Sequence, residues 1–138
     1  MDYKLHKDEK LCSRTAVNRL FEEGYSLMAF PLRAAYRVRP RGEHPVQFLI
    51  SIPKKRIRRA VHRVTLRRRI REAYRLTRRQ LLLAPLADAN CGVDIAFVYL
   101  DKTEAPYAVI HEKMTTLLTR IASAAEQPST PHDDGSNP

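Results

Sequence analysis

The stretch from Lys54 to Arg79, KKRIRRAVHRVTLRRRIREAYRLTRR, carries two superimposed patterns that restrict how it can fold. Leu66, Ile70, Ala73, Thr77 and Leu81 recur at 3.6-residue spacing, flanked by Tyr74. Arg67, Arg68, Arg71, Arg75, Arg78 and Arg79 fall on the far side of the same wheel. The spacing predicts one helix from about Arg59 to Leu83, closed by Pro85, with its apolar stripe on a core and its arginines outward. The rest of the chain must supply that core.

The same stretch holds 13 of the chain's 25 Lys and Arg but one of its 15 acids, Glu72, for a net charge of +12. The remaining residues, with 12 basic and 14 acidic side chains, sum to −2. The whole excess of +10 therefore lies in about one helix and the turn before it. A solvated helix face normally alternates signs, with acid–base pairs four residues apart. Here Glu72 can pair with Arg68 and Arg75, and at least nine other cations have no acid nearby in sequence. Such a block repels itself until a polyanion neutralises it, and contacts to phosphates release condensed counterions. Arginine dominates, 11 to 2 over lysine, and the planar guanidinium grips phosphate bidentately and stacks on bases. A membrane-surface helix would carry a large Leu, Phe or Trp face opposite its charges, and the modest apolar stripe here is the size a core needs.

At 138 residues and 43% hydrophobic composition the chain reads as one globular domain, residues 1–125. Residues 126–138, EQPSTPHDDGSNP, read as a disordered tail. No apolar run approaches the roughly 18 residues of a membrane span, and MDYKLHKDEK lacks the apolar region of a signal peptide. Cys12 and Cys91 form no C-x-x-C pair and read as reduced thiols of a cytoplasmic protein.

Residues 13–24 read as a helix, capped by Ser13, with Ala16, Val17, Leu20 and Phe21 on one stripe and Gly24 at its end. Tyr25 to Phe30 is a short strand stopped by Pro31. Leu32, Ala34, Tyr36 and Val38 then alternate with Arg33, Arg37 and Arg39, and after a 40–45 loop Val46, Phe48, Ile50 and Ile52 alternate up to Pro53. These three strands are expected to form an antiparallel meander. Val93 to Leu100 is nearly all apolar, as in a strand covered on both faces. A last helix starts near Pro106, with Tyr107, Ile110, Met114, Leu117, Leu118, Ile121 and Ala125 as its stripe. The order α-β-β-β-α-β-α is that of an α+β two-layer sandwich with one crossover helix.

Phe21, Tyr36 and Phe48 are the aromatics that could stack on single-stranded RNA, although Phe48 reads as ordinary core. Tyr36 shares its strand with Arg33, Arg37 and Arg39, which would place charge near it. Signatures of a self-sufficient enzyme are missing. The five His are scattered without metal spacing, four Gly make no phosphate loop, and Asp94 and Asp101 read as strand-end solvation rather than a dyad. Neither a helix-turn-helix nor a zipper pattern points to DNA. A ribosomal or other structural RNA-binding protein remains compatible with a basic helix in an α+β fold.

The run from Ser51 to Arg75 resembles the signature of the bacterial ribonuclease P protein component: a strand ending in small residues, a Lys-Lys pair, then a basic amphipathic helix. Lys54, Lys55, Arg63, Arg67, Arg68, Arg71 and Glu72 stand at matching places. Leu20-Phe21-Glu22-Glu23-Gly24, and Tyr36 twelve residues after that glycine, resemble the family's first helix and second strand. The likeness spans roughly residues 10–122. It departs at Arg63-Val64-Thr65, where the family has Arg-Asn-Arg, and at Val17, where an aromatic is frequent.

The resemblance implies the ribonuclease P protein / ribosomal protein S5 domain 2-like fold, with a left-handed crossover. It also implies a subunit that, inactive alone, serves a catalytic RNA cutting the 5′ leader from precursor tRNA. Magnesium would be held mainly by that RNA, since this chain offers no carboxylate cluster. The expected contacts to the catalytic RNA are Lys54, Lys55, Arg58, Arg59, Arg63, Arg67, Arg68, Arg71 and Arg75. The expected leader cleft, between the first helix and the sheet, comprises Phe21, Tyr36, Arg33 and Arg37.

Overall fold

A computed structural model describes residues 14–40 and 45–125. Ser13 as a helix cap, Cys12, residues 41–44 of the expected loop and the 126–138 tail lie outside the described residues. The elements in chain order are α1 (Arg14–Glu23), β1 (Tyr25–Ala29), β2 (Leu32–Pro40), β3 (Val46–Ser51), α2 (Ala60–Arg78), α3 (Ala84–Ala89), β4 (Cys91–Tyr99) and α4 (Tyr107–Ala125). Among the described residues no helix is long and apolar enough to cross a membrane.

The four strands form one sheet in the order β1-β2-β4-β3. β1 and β2 make an antiparallel hairpin, β4 runs antiparallel to β2, and β3 lies parallel to β4 on the far edge. The expected three-strand meander is therefore wrong in its third member: β3 pairs not with β2 but with β4, which inserts between them. The physical reason is coverage. β4 is apolar but for Asp94 and is buried along almost its whole length, so it takes a central place, whereas β3 carries Gln47 and Ser51 on one face and accepts the edge. A parallel β3–β4 pair needs a long crossover, and α2 with α3 supplies it.

Alternation along the strands sorts the side chains onto two faces. Leu32, Ala34, Tyr36, Val46, Phe48, Val93, Ile95, Phe97 and Tyr99 turn toward α2, α3 and α4, where they meet Leu66, Ile70, Ala73 and Tyr74 of α2 and the predicted α4 stripe from Ile110 to Ala125. At the centre Phe48 lies 4.3 Å from Tyr74, ring to ring, and Tyr74 lies 5.7 Å from Phe97. Phe48 is thus core, as its pattern implied. The opposite face carries Ala35 and Ala96, small enough for α1 to lie on them through Leu20, with Val17 and Leu49 alongside.

Pro85 does not end the basic helix. After Arg78 the ladder widens into a π-helical turn over Arg79–Leu83, with the Ala84 N–H donating to the Arg79 carbonyl, and Pro85 enters at the start of α3. Proline has no N–H to give the ladder, and the widened turn just before it carries the helix across that gap. The helix stops instead at Asn90, whose left-handed backbone (φ 55°, ψ 47°) turns the chain into β4.

Gly24 sits where α1 meets β1, its N–H donating to the Leu20 carbonyl at 2.9 Å. A Cβ there would stand 2.4 Å from the Leu20 carbonyl oxygen and 2.6 Å from that of Tyr36. Gly24→Ala is therefore expected to push α1 off the sheet and to lower stability by about 1–3 kcal/mol, measured by denaturant unfolding. A wild-type midpoint would show that this contact can relax freely.

Candidate nucleic-acid interface

The expected outward face of α2 exists, and the structure divides its cations into two groups. Lys54, Lys55, Arg58, Arg59, Arg67, Arg68 and Arg71 are exposed, and among the described residues no acid or hydrogen-bond acceptor holds their side chains. Val61 and Val64, at 63% and 51% exposure, lie among them on the first turns of the helix.

Four other basic side chains of the segment are used to build the protein. Arg63 Nη1 donates to the Ile57 and Arg58 carbonyls at 2.9 and 2.7 Å, which ties the loop before α2 to the helix. Arg75 makes a bidentate pair with Glu72, at 3.0 and 2.7 Å. That hydrogen bonding holds the Glu72 carboxyl below its usual range and raises the Arg75 guanidinium. Arg69 reaches Glu104 at 3.2 Å and donates to the Ala105 carbonyl at 2.6 Å. Arg78, expected on the outward face, is instead buried where the helix widens into the π-helical turn. Of the nine residues expected to meet the catalytic RNA, Arg63 and Arg75 thus already have structural partners. The sequence offers Glu72 to Arg75, but it could not mark Arg63 or Arg69 as braces, because their partners are loop groups that folding brings near.

The second expected group is brought together only in part. Phe21 is 50% exposed on α1, one turn beyond Val17, which packs beside Leu49. Arg33 and Arg37 lie on the same face of the sheet as α1: Arg33 Nε donates to Ser26 Oγ at 2.9 Å and Arg37 pairs with Glu23 of α1 at 3.4 Å. Tyr36 does not join them. It is 6% exposed, points to the opposite face, and stands 5.7 Å from the Tyr25 ring. Burial, with Tyr25 next to it, raises its hydroxyl pKa. One residue of strand parity decides the matter, since neighbouring side chains take opposite faces, and Ala35 is the residue of β2 that lies under α1.

Two features escaped the sequence reading. Asp94 is not solvated at a strand end. It lies within β4, 3% exposed, and accepts from Arg39 Nε at 2.9 Å. The register that sets Arg39 beside Gly92 and Arg37 beside Asp94 creates this pair, and that register required knowing that β4 adjoins β2. Its one signal in the sequence was Arg39, in phase with Arg33 and Arg37. The second is a tether between α2 and the loop after β4, where His62 Nδ1 meets Glu104 Oε1 at 2.8 Å. No local pattern links positions so far apart.

Among the described residues no three His, Cys, Asp or Glu gather where they could hold a metal ion. The acids near the basic helix, Glu72 and Glu104, are engaged by arginine or histidine. What the surface offers is a cluster of exposed cations on and before α2, suited to a polyanion, and on the opposite face of the sheet an exposed Phe21 ring on α1.

Comparison with known proteins gives one consistent result. Residues 5–122 match the family model of Ribonuclease P. The chain is 37% identical over 123 residues to a ribonuclease P protein component of Porphyromonas gingivalis strain W83, covering 87% of this chain and 88% of the relative. It is 35% identical over 108 residues to that of Chlorobaculum tepidum, covering 73% and 70%. Among solved structures, the RNase P protein of Thermotoga maritima superposes with a TM-score of 0.64 at 24% identity, over 81% of this chain and 96% of that one. The Staphylococcus aureus RNase P protein superposes at 0.62 and 17% identity, over 83% and 94%.

Proposed function

Because the chain belongs to the ribonuclease P protein family, we propose that it docks on a catalytic RNA through α2 and guides the 5′ leader of precursor tRNA along the α1 face of its sheet. The observation that carries this reading is the row of seven exposed cations, Lys54, Lys55, Arg58, Arg59, Arg67, Arg68 and Arg71, which no acid neutralises among the described residues. Seven donors-only groups in a row need an anionic, acceptor-rich partner, and an RNA backbone is one. On the other side of the sheet Phe21 offers a ring for an unpaired base, with Arg33 and Arg37 on the same face for the leader's phosphates.

In this reading the protein makes and breaks no bond. Magnesium would be held mainly by the RNA, and the chemistry it would supply there is Lewis-acid activation of water and of the leaving oxygen. The chain's residues lower the repulsion between two RNAs and hold the leader in line. Action in the cytoplasm is part of the same proposal.

The test is reconstitution. Precursor tRNA is incubated with bacterial ribonuclease P RNA, with this protein, and with both, at low magnesium. Cleavage at the mature 5′ end is expected to be faster with both than with RNA alone, and absent with nuclease-treated protein alone. Robust cleavage by the RNA-free protein, or no effect of the protein on the RNA's reaction, would overturn the proposal.

A further inference from the structure

The loop before α2 and the loop after β4 face each other across an open cavity of about 560 Å³. Its walls carry Lys55, Arg56, Arg58, Arg59 and His62 from one side and Lys102 from the other. The one carboxylate lining it, Glu104, is engaged by His62 and by Arg69. Among the described residues, no acid or acceptor holds the side chains of the five lysines and arginines that surround it.

The cavity is braced on three sides. Arg63 fastens the first loop through the Ile57 and Arg58 carbonyls. His62 and Arg69 fasten the second to α2 through Glu104, and Arg69 also holds the Ala105 carbonyl. The Tyr99 hydroxyl shapes the second loop from beneath, donating to the Thr103 carbonyl and accepting from the Ala105 N–H at 2.9 Å. The braces keep the backbones that carry these like charges close together, so an anion between them relieves their repulsion. Lysine and arginine side chains only donate, which requires a ligand rich in acceptors.

We infer that this cavity is a phosphate pocket that seats one phosphodiester of the partner RNA, and that Lys102 extends the RNA interface from α2 to the loop after β4. The inference rests on the proposed role in ribonuclease P. It favours RNA over a free anion because Lys55, Arg58 and Arg59, which line the cavity, are exposed cations of the same charge-dense segment as Arg67, Arg68 and Arg71, so one polyanion can engage both. Lys102 is exposed and lies outside the charge-dense segment, which is why its sequence context does not mark it.

The test uses the full chain and bacterial ribonuclease P RNA, with affinity measured between 50 and 200 mM salt. Lys102→Ala is expected to weaken binding several-fold and to reduce the slope of log affinity against log salt by about one, the signature of one lost phosphate contact. Lys102→Glu should weaken it further. Lys113→Ala, on α4 beside Glu112, is the control and should leave both quantities unchanged. A photo-crosslinker on Lys102→Cys should label the RNA, whereas the same probe on Lys113→Cys should not. Inorganic phosphate, titrated in a parallel arm, should compete only at millimolar concentration. Wild-type affinity and slope in folded Lys102 variants, while the wild-type protein binds the RNA, would overturn the pocket alone. Tight seating of inorganic phosphate without any Lys102 effect on RNA binding would overturn the assignment to RNA. Failure of the wild-type protein to bind the RNA at all would remove the underlying functional reading with it.

Discussion

Arg68→Glu and Arg71→Glu are each expected to abolish assembly with the catalytic RNA at moderate salt, a loss of about a hundredfold or more. Both side chains are exposed on α2, and no acid holds either among the described residues. Reversal deletes a cation and sets an anion against phosphate, a juxtaposition that costs several kcal/mol. Folding should survive, since neither side chain braces the structure. Val64→Ala, on the same face at 51% exposure, should change binding little and serves as the control. For the wild-type chain, if about six of the exposed cations meet phosphates, affinity should fall about a thousandfold between 50 and 200 mM salt. Filter-binding isotherms on folded variants decide the matter. Silent charge reversals beside a damaging Val64→Ala would mean that the RNA meets another side of α2, and a flat salt response would remove the arginine face as the anchor.

Tyr36→Ala and Phe21→Ala are expected to fail in opposite ways. Tyr36 is 6% exposed in the core, against Tyr25, so its truncation should lower stability by about 3 kcal/mol. Any loss of RNA binding should follow from unfolding and should strike every ligand alike. Phe21 is 50% exposed, and its truncation should leave the melting temperature nearly unchanged. It should weaken precursor tRNA by about 1–3 kcal/mol relative to mature tRNA, the value of one stacked base, because only the precursor has a leader. Thermal unfolding together with paired affinities for the two tRNAs measures both. Equal losses for precursor and mature tRNA in a folded Phe21→Ala protein would show that the leader does not lie on the α1 face. A Tyr36→Ala protein of full stability that loses only precursor binding would show that the leader reaches the other side of the sheet.

These two residues mark where strand-level reasoning ran short. Tyr36 has arginines on either side in sequence, and that proximity made it look like part of a charged platform. In a strand, sequence neighbours face apart, so Arg33 and Arg37 share α1's face while Tyr36 enters the core. The alternation itself was readable. Which of its two faces would receive α1 was not, because that depends on Ala35 and Ala96 lying side by side, and hence on β4 adjoining β2.

Local chemistry alone determined a good deal here. Helical periodicity with a one-sided arginine face required α2 to lie on a core and to leave its cations in solvent, and each strand and helix was marked by its period and its punctuation. These are properties of consecutive residues, set by backbone geometry and hydration. Tertiary structure decided what depends on residues distant in the chain. It chose β4 rather than β3 as the neighbour of β2, turned Asp94 from a solvated end into the buried partner of Arg39, and carried the helix past Pro85 to Asn90. It also divided the arginines into braces and free cations, because the carbonyls of Ile57, Arg58 and Ala105 and the carboxylate of Glu104 reach α2 only when the loops close on it. A charge count along the sequence measures how much polyanion the chain can meet. Which cations remain to meet it is set by the hydrogen bonds the fold has already made.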